Sequence, residues 1–195
     1  MQVNIRQISG NWDLGYAMDK HIVSSTYTGD NEQGHPTFNT IRTDVGEAVF
    51  KLKYRADWTQ VDPLAKCLYD NAVPLFENIG LIIPMAASNV RPRQPVTAIA
   101  EALAAKMGNG MISFNQLLFK APGGVSLKNL TTKAEKQEAV AGTFSYEDVI
   151  AEGGPYNALI IDDLYHTGAS LEAACAALKS YNKINKIYVA ALTWK

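Results

Sequence analysis

Apolar residues recur along the chain in two patterns, as short unbroken runs and as positions spaced three or four residues apart. The unbroken runs predict buried strands at residues 79–83, 111–114, 158–161 and 186–193. The spaced positions predict helices around residues 45–52, 64–68, 95–107 and 171–179. Strand, loop and helix therefore alternate, which favours an α/β fold with a mainly parallel sheet flanked by helices. In such a fold a ligand crevice lies at the carboxyl ends of the strands.

The first 45 residues have a different character, being rich in Tyr, Thr, Gly, Asn and Asp. Polar and apolar residues alternate at residues 3–5 and 22–27, which is typical of half-buried strands. We expect a small N-terminal β-rich segment at residues 1–45, in the form of a hairpin or small antiparallel sheet. Residues 46–195 would form the α/β domain.

Composition narrows the function classes. The chain has 195 residues, 47% of them hydrophobic and 19% charged, which suits a domain with a full core. Its net charge of −1 and the absence of a basic run do not favour nucleic acid as a partner. No apolar stretch approaches the roughly 20 residues that span a membrane, and the first ten residues do not resemble a signal peptide. We therefore expect a cytoplasmic protein with no membrane partner.

Residues 159–170 carry the strongest chemical signal, because a short strand is followed by two carboxylates, a polar loop and a helix. Backbone N–H groups converge where a loop enters a helix and form a concave anion site, to which hydroxyl side chains can add donors. The residues expected at this anion site are His166, Thr167, Gly168, Ala169 and Ser170. Asp162 and Asp163 are acceptors suited to ribose hydroxyls or to a hydrated divalent cation. A diol site beside a phosphate site predicts a ribose 5-phosphate ligand.

A second loop, after the strand at residues 79–83, is a candidate for binding another anion. Small residues there would expose backbone N–H groups, and Arg91 offers a planar fork of donors suited to phosphate. The residues expected to bind are Met85, Ala86, Ala87, Ser88 and Arg91. The alternative, an ordinary surface turn, is equally compatible with this segment taken alone.

The sequence LIIDDLYHTGAS at residues 159–170 resembles the phosphoribosyl pyrophosphate (PRPP) motif of type I phosphoribosyltransferases. Two further segments, LKYRAD at 52–57 and LTTKAEKQEAVAGTF at 130–144, are similar to signatures of the ComF-like branch of that family. His166 and Tyr165 depart from the residues usual in the motif, and Lys136 replaces the usual arginine of the third segment. The cysteine-rich zinc module that often precedes this domain is missing.

The resemblance implies transfer of a phosphoribosyl group from PRPP to an unidentified nitrogen acceptor, with release of pyrophosphate. It makes Asp162 and Asp163 the catalytic and ribose-binding residues, with an indirect role in holding Mg²⁺. Residues 166–170 would bind the 5-phosphate and residues 85–88 with Arg91 the pyrophosphate. A loop at Gly123 and Gly124 resembles the flap that covers the reacting sugar.

Two alternatives to a transferase follow from the same residues. The chain could bind PRPP or a nucleotide without transferring anything, as a sensing protein, because the same anion site would serve. A glutamine-dependent amidotransferase is disfavoured, since there is no N-terminal catalytic cysteine and no room for a second domain. The acceptor has no recognisable signature, and a homodimer is left open.

Overall fold

The computed structural model describes residues 1–87, 89, 91–108, 110–111, 113–122 and 130–195. Within these residues the chain forms nine strands, β1 (Arg6–Gln7), β2 (Leu14–Lys20), β3 (Ser24–Asp30), β4 (Pro36–Ile41), β5 (Ile79–Pro84), β6 (Leu118–Lys120), β7 (Phe144–Tyr146), β8 (Tyr156–Tyr165) and β9 (Ile184–Trp194). The α-helices of the same residues are α1 (Asp44–Arg55), α2 (Val61–Asn71), α3 (Pro95–Met107), α4 (Lys133–Val140) and α5 (Ala169–Lys179). Among the described helices, none is both long and apolar enough to cross a membrane.

A central sheet of five strands has the order β1-β2-β9-β8-β5. The pairs β2–β9, β9–β8 and β8–β5 are parallel, and only the short β1 runs antiparallel to its neighbour. The prediction of a mainly parallel sheet flanked by helices is therefore confirmed. Pro84 at the end of β5 pairs with Ile161, and Tyr165 at the end of β8 pairs with Trp194. The loops that follow these strands consequently leave from the same edge of the sheet.

Both faces of the central sheet are buried, because successive side chains of a strand point to opposite faces. Leu159 and Ile161 of β8 lie in an apolar cluster with residues of α1, α2 and α3. Ala158 and Ile160 lie in a second cluster with residues of α5. All four side chains are fully buried. This two-sided burial explains why β8 begins as an unbroken apolar run, as expected for a central parallel strand.

Strand β8 is longer than its apolar run indicates. The run ends at Ile161, but the pairing with β9 continues to Tyr165, so Asp162 and Asp163 lie within the strand rather than in the following loop. The prediction that the two carboxylates follow the strand was therefore wrong. The reason is that backbone hydrogen bonds to the long neighbour β9 extend the strand beyond the point where its side chains cease to be apolar. Only residues 166–168 connect β8 to α5.

The N-terminal residues divide between two structures. β3 and β4 form an antiparallel hairpin with mostly exposed side chains, which confirms the predicted hairpin. β2 instead joins the central sheet beside β9, with Tyr16 level with Ala190. The boundary at residue 45 stays a prediction. Of the expected strand at residues 111–114, the described residues show a single bridge between Ser113 and Ile82.

Candidate functional site

Two adjoining cavities open at the carboxyl edge of the sheet. The first, here called the loop pocket, has a volume of about 440 Å³ and is lined by residues 164–171 with further side chains from other elements. The second, here called the β5 pocket, has a volume of about 360 Å³ and lies between the end of β5 and the start of α3. Asp162, Leu164 and Ser170 line both cavities. The end of β8 therefore forms the wall between them.

The loop pocket brings together every residue that the sequence placed at the first anion site, from His166 to Ser170. Gly168 occupies the N-cap position of α5 with φ of 81°, a left-handed conformation that favours glycine. A Cβ atom there would lie 3.0 Å from Cε2 of Tyr165. No side chain caps this helix, and the first N–H groups of a helix have no partner within it. These donors lie at the wall of the pocket and are suited to an anion.

Asp163 is held in place from both its side chain and its backbone. Its Oδ2 atom lies 2.5 Å from Nζ of Lys53, which projects from the last turn of α1. Its carbonyl oxygen accepts a hydrogen bond from the buried hydroxyl of Thr193, at 2.7 Å. Burial opposes the charge on Lys53, but the Asp163 carboxylate outweighs it, and the pKa of Lys53 stands above its ordinary value. Asp163 is therefore firmly positioned and paired with a cation.

The Thr193 hydroxyl that donates to the Asp163 carbonyl is itself held by a contact with His21. His21 Nδ1 lies 3.1 Å from the hydroxyl oxygen of Thr193. Because the single hydroxyl hydrogen of Thr193 is donated to Asp163, the ring nitrogen of His21 must be the donor in this contact. Burial and nearby Arg42 lower the pKa of His21, so the ring is neutral at physiological pH. A chain of hydrogen bonds thus runs from the end of β2 to the end of β8.

Asp162, unlike Asp163, has no cation paired with its carboxyl group among the described residues. It lies on the opposite face of β8, and its Oδ1 atom accepts the N–H of Asp163 at 2.8 Å. Burial and the adjacent Asp163 carboxylate raise the pKa of Asp162 to about 7. A carboxyl group at the wall of a cavity that changes charge near neutral pH is a feature of functional sites.

The β5 pocket is lined by four of the residues expected at the second anion site, Met85, Ala86, Ala87 and Arg91, while Ser88 lies outside the described residues. The Met85 N–H is already donated to the carbonyl of Ile161, at 2.8 Å, so this N–H is not available to an anion. Arg91 donates from Nη1 to the carbonyl of Lys53, at 3.0 Å, which ties the guanidinium to the end of α1. The flap expected at Gly123 and Gly124 also lies outside the described residues.

Four lysines at the two cavities were not predicted as site residues. Each comes from a different element: Lys53 and Lys120 line the β5 pocket, and Lys136 and Lys195 line the loop pocket. Lys53 and Lys136 belong to the two segments that carry the ComF-like resemblance, which is the signal that could have identified them. With Arg91 they surround the carboxylates of β8. Among the described residues that line the two cavities, five cations thus outnumber two carboxylates, which favours an anionic ligand.

Comparison with other proteins bears on the fold alone. No protein-family model matches the sequence, and no curated protein matches it either. Among solved structures, adenine phosphoribosyltransferase from Trypanosoma brucei, in complex with AMP, pyrophosphate and ribose-5-phosphate, matches with a TM-score of 0.50 and 10% identity. That match covers 100% of this chain and 76% of the other.

Two further solved structures match with lower scores. Adenine phosphoribosyltransferase from Thermoanaerobacter pseudethanolicus has a TM-score of 0.43 and 14% identity, over 88% of this chain and 95% of that chain. A hypoxanthine phosphoribosyltransferase from Staphylococcus aureus has a TM-score of 0.43 and 15% identity, over 69% of this chain. The chain spans 63% of the length of the Staphylococcus protein. The match to the Trypanosoma brucei structure shows that the chain is similar in fold to a phosphoribosyltransferase.

Proposed function

We propose that the protein is a phosphoribosyltransferase that transfers the phosphoribosyl group of PRPP to a nitrogen acceptor. The observation that carries this proposal is the pair of adjoining cavities at the end of β8, with Asp162 at the wall between them. PRPP has a phosphate at one end of the ribose and a diphosphate at the other. Two anion-binding cavities on either side of a carboxylate suit that arrangement.

The ligand would be placed with its 5-phosphate in the loop pocket and its diphosphate in the β5 pocket. The N-terminus of α5, with the Thr167 and Ser170 hydroxyls, would bind the 5-phosphate. Ala86, Ala87 and Arg91 would lie at the diphosphate, and Lys53 adds a positive charge on the same side. The ring hydroxyls would meet the carboxylates of Asp162 and Asp163.

The transfer itself requires no protein nucleophile. The acceptor nitrogen forms a bond to C1 of the ribose as the bond between C1 and the diphosphate oxygen breaks, and the electron pair leaves with pyrophosphate. Positive charge develops on the ring and negative charge on the leaving group. Carboxylates near the ring and cations near the diphosphate stabilise these charges, and the two cavities hold the reacting atoms in position.

The residues present fit an indirect Mg²⁺ site. Mg²⁺ is usually bound by one or two carboxylates together with substrate phosphates and water. Asp162 and Asp163 offer carboxylates at the β5 pocket, and no group of three ligating side chains occurs among the described residues. A metal held mainly by the diphosphate, and steadied by these carboxylates, would neutralise charge on the leaving group.

The finer assignment to the ComF-like branch rests on where its two signature segments lie. Lys53 of residues 52–57 lines the β5 pocket, and so does Phe144 of residues 130–144. Lys136, from the same second segment, lines the loop pocket. Because both segments border the cavities, their resemblance to the ComF-like branch concerns the ligand site itself, and this supports the assignment.

The test is to measure pyrophosphate release from PRPP and Mg²⁺ with a panel of bases and amines as acceptors. We expect release that depends on one acceptor. The double variant Asp162→Asn with Asp163→Asn should keep the fold, by circular dichroism, and lose PRPP binding by calorimetry. Asp70→Asn, which removes an exposed carboxylate from α2, is the matched control and should behave as the wild type.

Two results would contradict the proposal in different ways. Unchanged PRPP affinity in the double variant would remove the site assignment. Tight PRPP binding without release for any acceptor would favour the sensing protein instead of the transferase.

A further inference from the structure

Lys136 is a cation buried at the wall of the loop pocket. Only 6% of the residue is exposed, and it lines the cavity together with His166 and Lys195. Its Nζ atom lies 3.4 Å from Nδ1 of His166, at the long limit of a hydrogen bond. Burying an ammonium group is costly unless it is paired with an opposite charge.

Among the described residues no carboxylate forms an ion pair with Lys136, and Asp162, which lines the same cavity, is not within ion-pair distance of it. The acidic residue that α5 presents to α4 is Glu172, and its carboxylate is occupied by Lys133 at 2.7 Å and by Gln137 at 2.7 Å. These two contacts fix α4 against α5. Lys195, the other lysine at the pocket, has the same sign as Lys136, whereas His166 is an uncharged ring at neutral pH, because burial and the nearby Lys136 lower its pKa. Two lysines therefore line one cavity, and among the described residues no carboxylate is paired with Lys136.

The orientation of Lys136 is set by the start of its helix. Thr132 accepts the Glu135 N–H through its side chain, and Glu135 accepts the Thr132 N–H in return, which forms a capping box. The helix begins at a defined residue as a result. Lys136 is held within this first turn rather than on a mobile loop, so its ammonium is a preorganised part of the pocket wall.

We propose that Lys136 is a specificity-determining residue that makes the loop pocket selective for a dianionic phosphate monoester. The N-terminus of α5 offers donors to any anion, whereas a buried ammonium favours a ligand with a second negative charge. Lys195, which also lines the pocket, adds to the same positive field. The identification of the ligand as a ribose 5-phosphate group rests on the proposed function, but the selection for a dianionic phosphate does not require transfer.

The experiment measures binding of ribose 5-phosphate and of ribose by calorimetry, in the wild type and three variants. Lys136→Met keeps an unbranched side chain of similar length and removes the charge. We expect its affinity for ribose 5-phosphate to fall about 10- to 100-fold, the usual range for losing a charged hydrogen-bond donor. Lys136→Arg should stay within a few-fold of the wild type. Lys179→Met removes an exposed charge from the last turn of α5, outside both pockets, and should also bind as the wild type does.

Thermal stability measurements distinguish a role of Lys136 in ligand selection from a role in holding the fold together. Because Lys136→Met replaces a buried charge with an apolar side chain, we expect the unliganded variant to be at least as stable to heat as the wild type. Added ribose 5-phosphate should raise the melting temperature of the wild type and of Lys136→Arg, but much less that of Lys136→Met.

The outcomes distinguish this inference from the proposed function. Equal affinity of Lys136→Met and wild type for ribose 5-phosphate, or no binding to the wild type, would overturn the inference even if PRPP were turned over. Selective binding that depends on Lys136, without pyrophosphate release for any acceptor, would uphold the inference and remove the transferase.

Discussion

The two pockets on either side of Asp162 are built in different ways. The loop pocket consists mainly of one continuous segment, residues 164–171, in which backbone N–H groups at the start of α5 are the principal donors. The β5 pocket is assembled from side chains of α1, β6, β7, β8 and the residues around α3. The first depends on the conformation of a loop and the second on the packing of distant elements. Damage to one should therefore leave the other largely intact.

The largest expected effect that separates the pockets is that of Gly168→Ala. Alanine is strained at a φ of 81°, and its Cβ would lie 3.0 Å from the Tyr165 ring, so the loop must shift. Loss of two charge-assisted N–H contacts would lower affinity for ribose 5-phosphate about 100-fold. Calorimetry with inorganic pyrophosphate should show binding to the β5 pocket within a few-fold of the wild type.

Gly142→Ala is the matched control for this variant. Gly142 also has a positive φ, 67°, but a Cβ there would meet no atom within 4 Å, and the residue lines neither pocket. It should lose a similar amount of stability and no affinity. Equal weakening of both ligands by Gly168→Ala would show that the pockets are not independent.

Lys53→Met is the corresponding change to the β5 pocket. It leaves the Asp163 carboxylate, whose side chain is 12% exposed, without its cation. Because Lys53 itself is 32% exposed and water can screen the pair, we expect a loss of about 2 kcal/mol, less than for a fully buried pair. Pyrophosphate affinity should fall about tenfold with the loss of one cation. Denaturant unfolding and calorimetry measure the two effects.

The ion pair between Lys53 and Asp163 can be tested by replacing both residues in one variant. If the loss comes from the unpaired carboxylate, adding Asp163→Leu to Lys53→Met should restore much of the stability. Failure of the double variant to recover would mean that Lys53 stabilises the fold by packing and not through Asp163.

The same contrast explains how much of the molecule could be predicted from its sequence. The helix at residues 95–107 was predicted with the bounds of α3, because helical spacing and Pro95 at its start are local signals. The loop pocket was predicted for the same reason, since residues 166–170 follow one another. The end of β8 was not, because it depends on pairing with β9, which ends 29 residues further along the chain.

The lysines show most clearly what a local sequence pattern does not predict. A local pattern does not show whether a lysine is buried, because its neighbours in sequence can all be exposed. Lys136 follows five exposed residues, yet packing of α4 against α5 buries it. The position of β2 within the central sheet was missed for a similar reason, since its partner β9 lies at the other end of the described chain. The burial of Lys136 and the position of β2 both depend on contacts between segments that are distant in the sequence.

The carboxyl group of Asp162, at the wall between the pockets, should make the stability of the protein depend on pH. The pKa of Asp162 is raised from 3.8 to about 7, so the folded protein holds this proton more tightly than the unfolded chain. The resulting stability is complete below pH 3.8 and is lost as pH rises to about 7. Asp162→Asn stays neutral, and its Oδ1 can still accept the Asp163 N–H. Above pH 7 we expect this variant to be more stable than the wild type by about 1 kcal/mol, reduced from the full linkage value because Asp162 is partly exposed.

Denaturant unfolding of the wild type and Asp162→Asn at pH 4, 6 and 8 measures this difference. It should be absent at pH 4 and increase to pH 8. Asp163→Asn should instead destabilise the protein at pH 8, because it leaves Lys53 unpaired. A constant difference between Asp162→Asn and the wild type at all three pH values would show that Asp162 has an ordinary pKa.

The smallest expected effect is that of His166→Ala, which tests whether a side chain adds to the backbone donors of the loop pocket. Burial and the nearby Lys136 and Lys195 lower the pKa of His166 below 6.5, so the ring is neutral above that pH and can take up a proton below it. A bound phosphate favours the protonated ring. We therefore expect wild type and His166→Ala to bind ribose 5-phosphate equally at pH 8, and the wild type to bind about twofold more tightly at pH 5.5, since an exposed charge contributes about 0.5 kcal/mol. Calorimetry across this range, with each variant compared at the same pH, cancels the protonation of the phosphate itself. Identical profiles would mean that His166 makes no contact with the ligand and that backbone donors, Lys136 and Lys195 define the pocket.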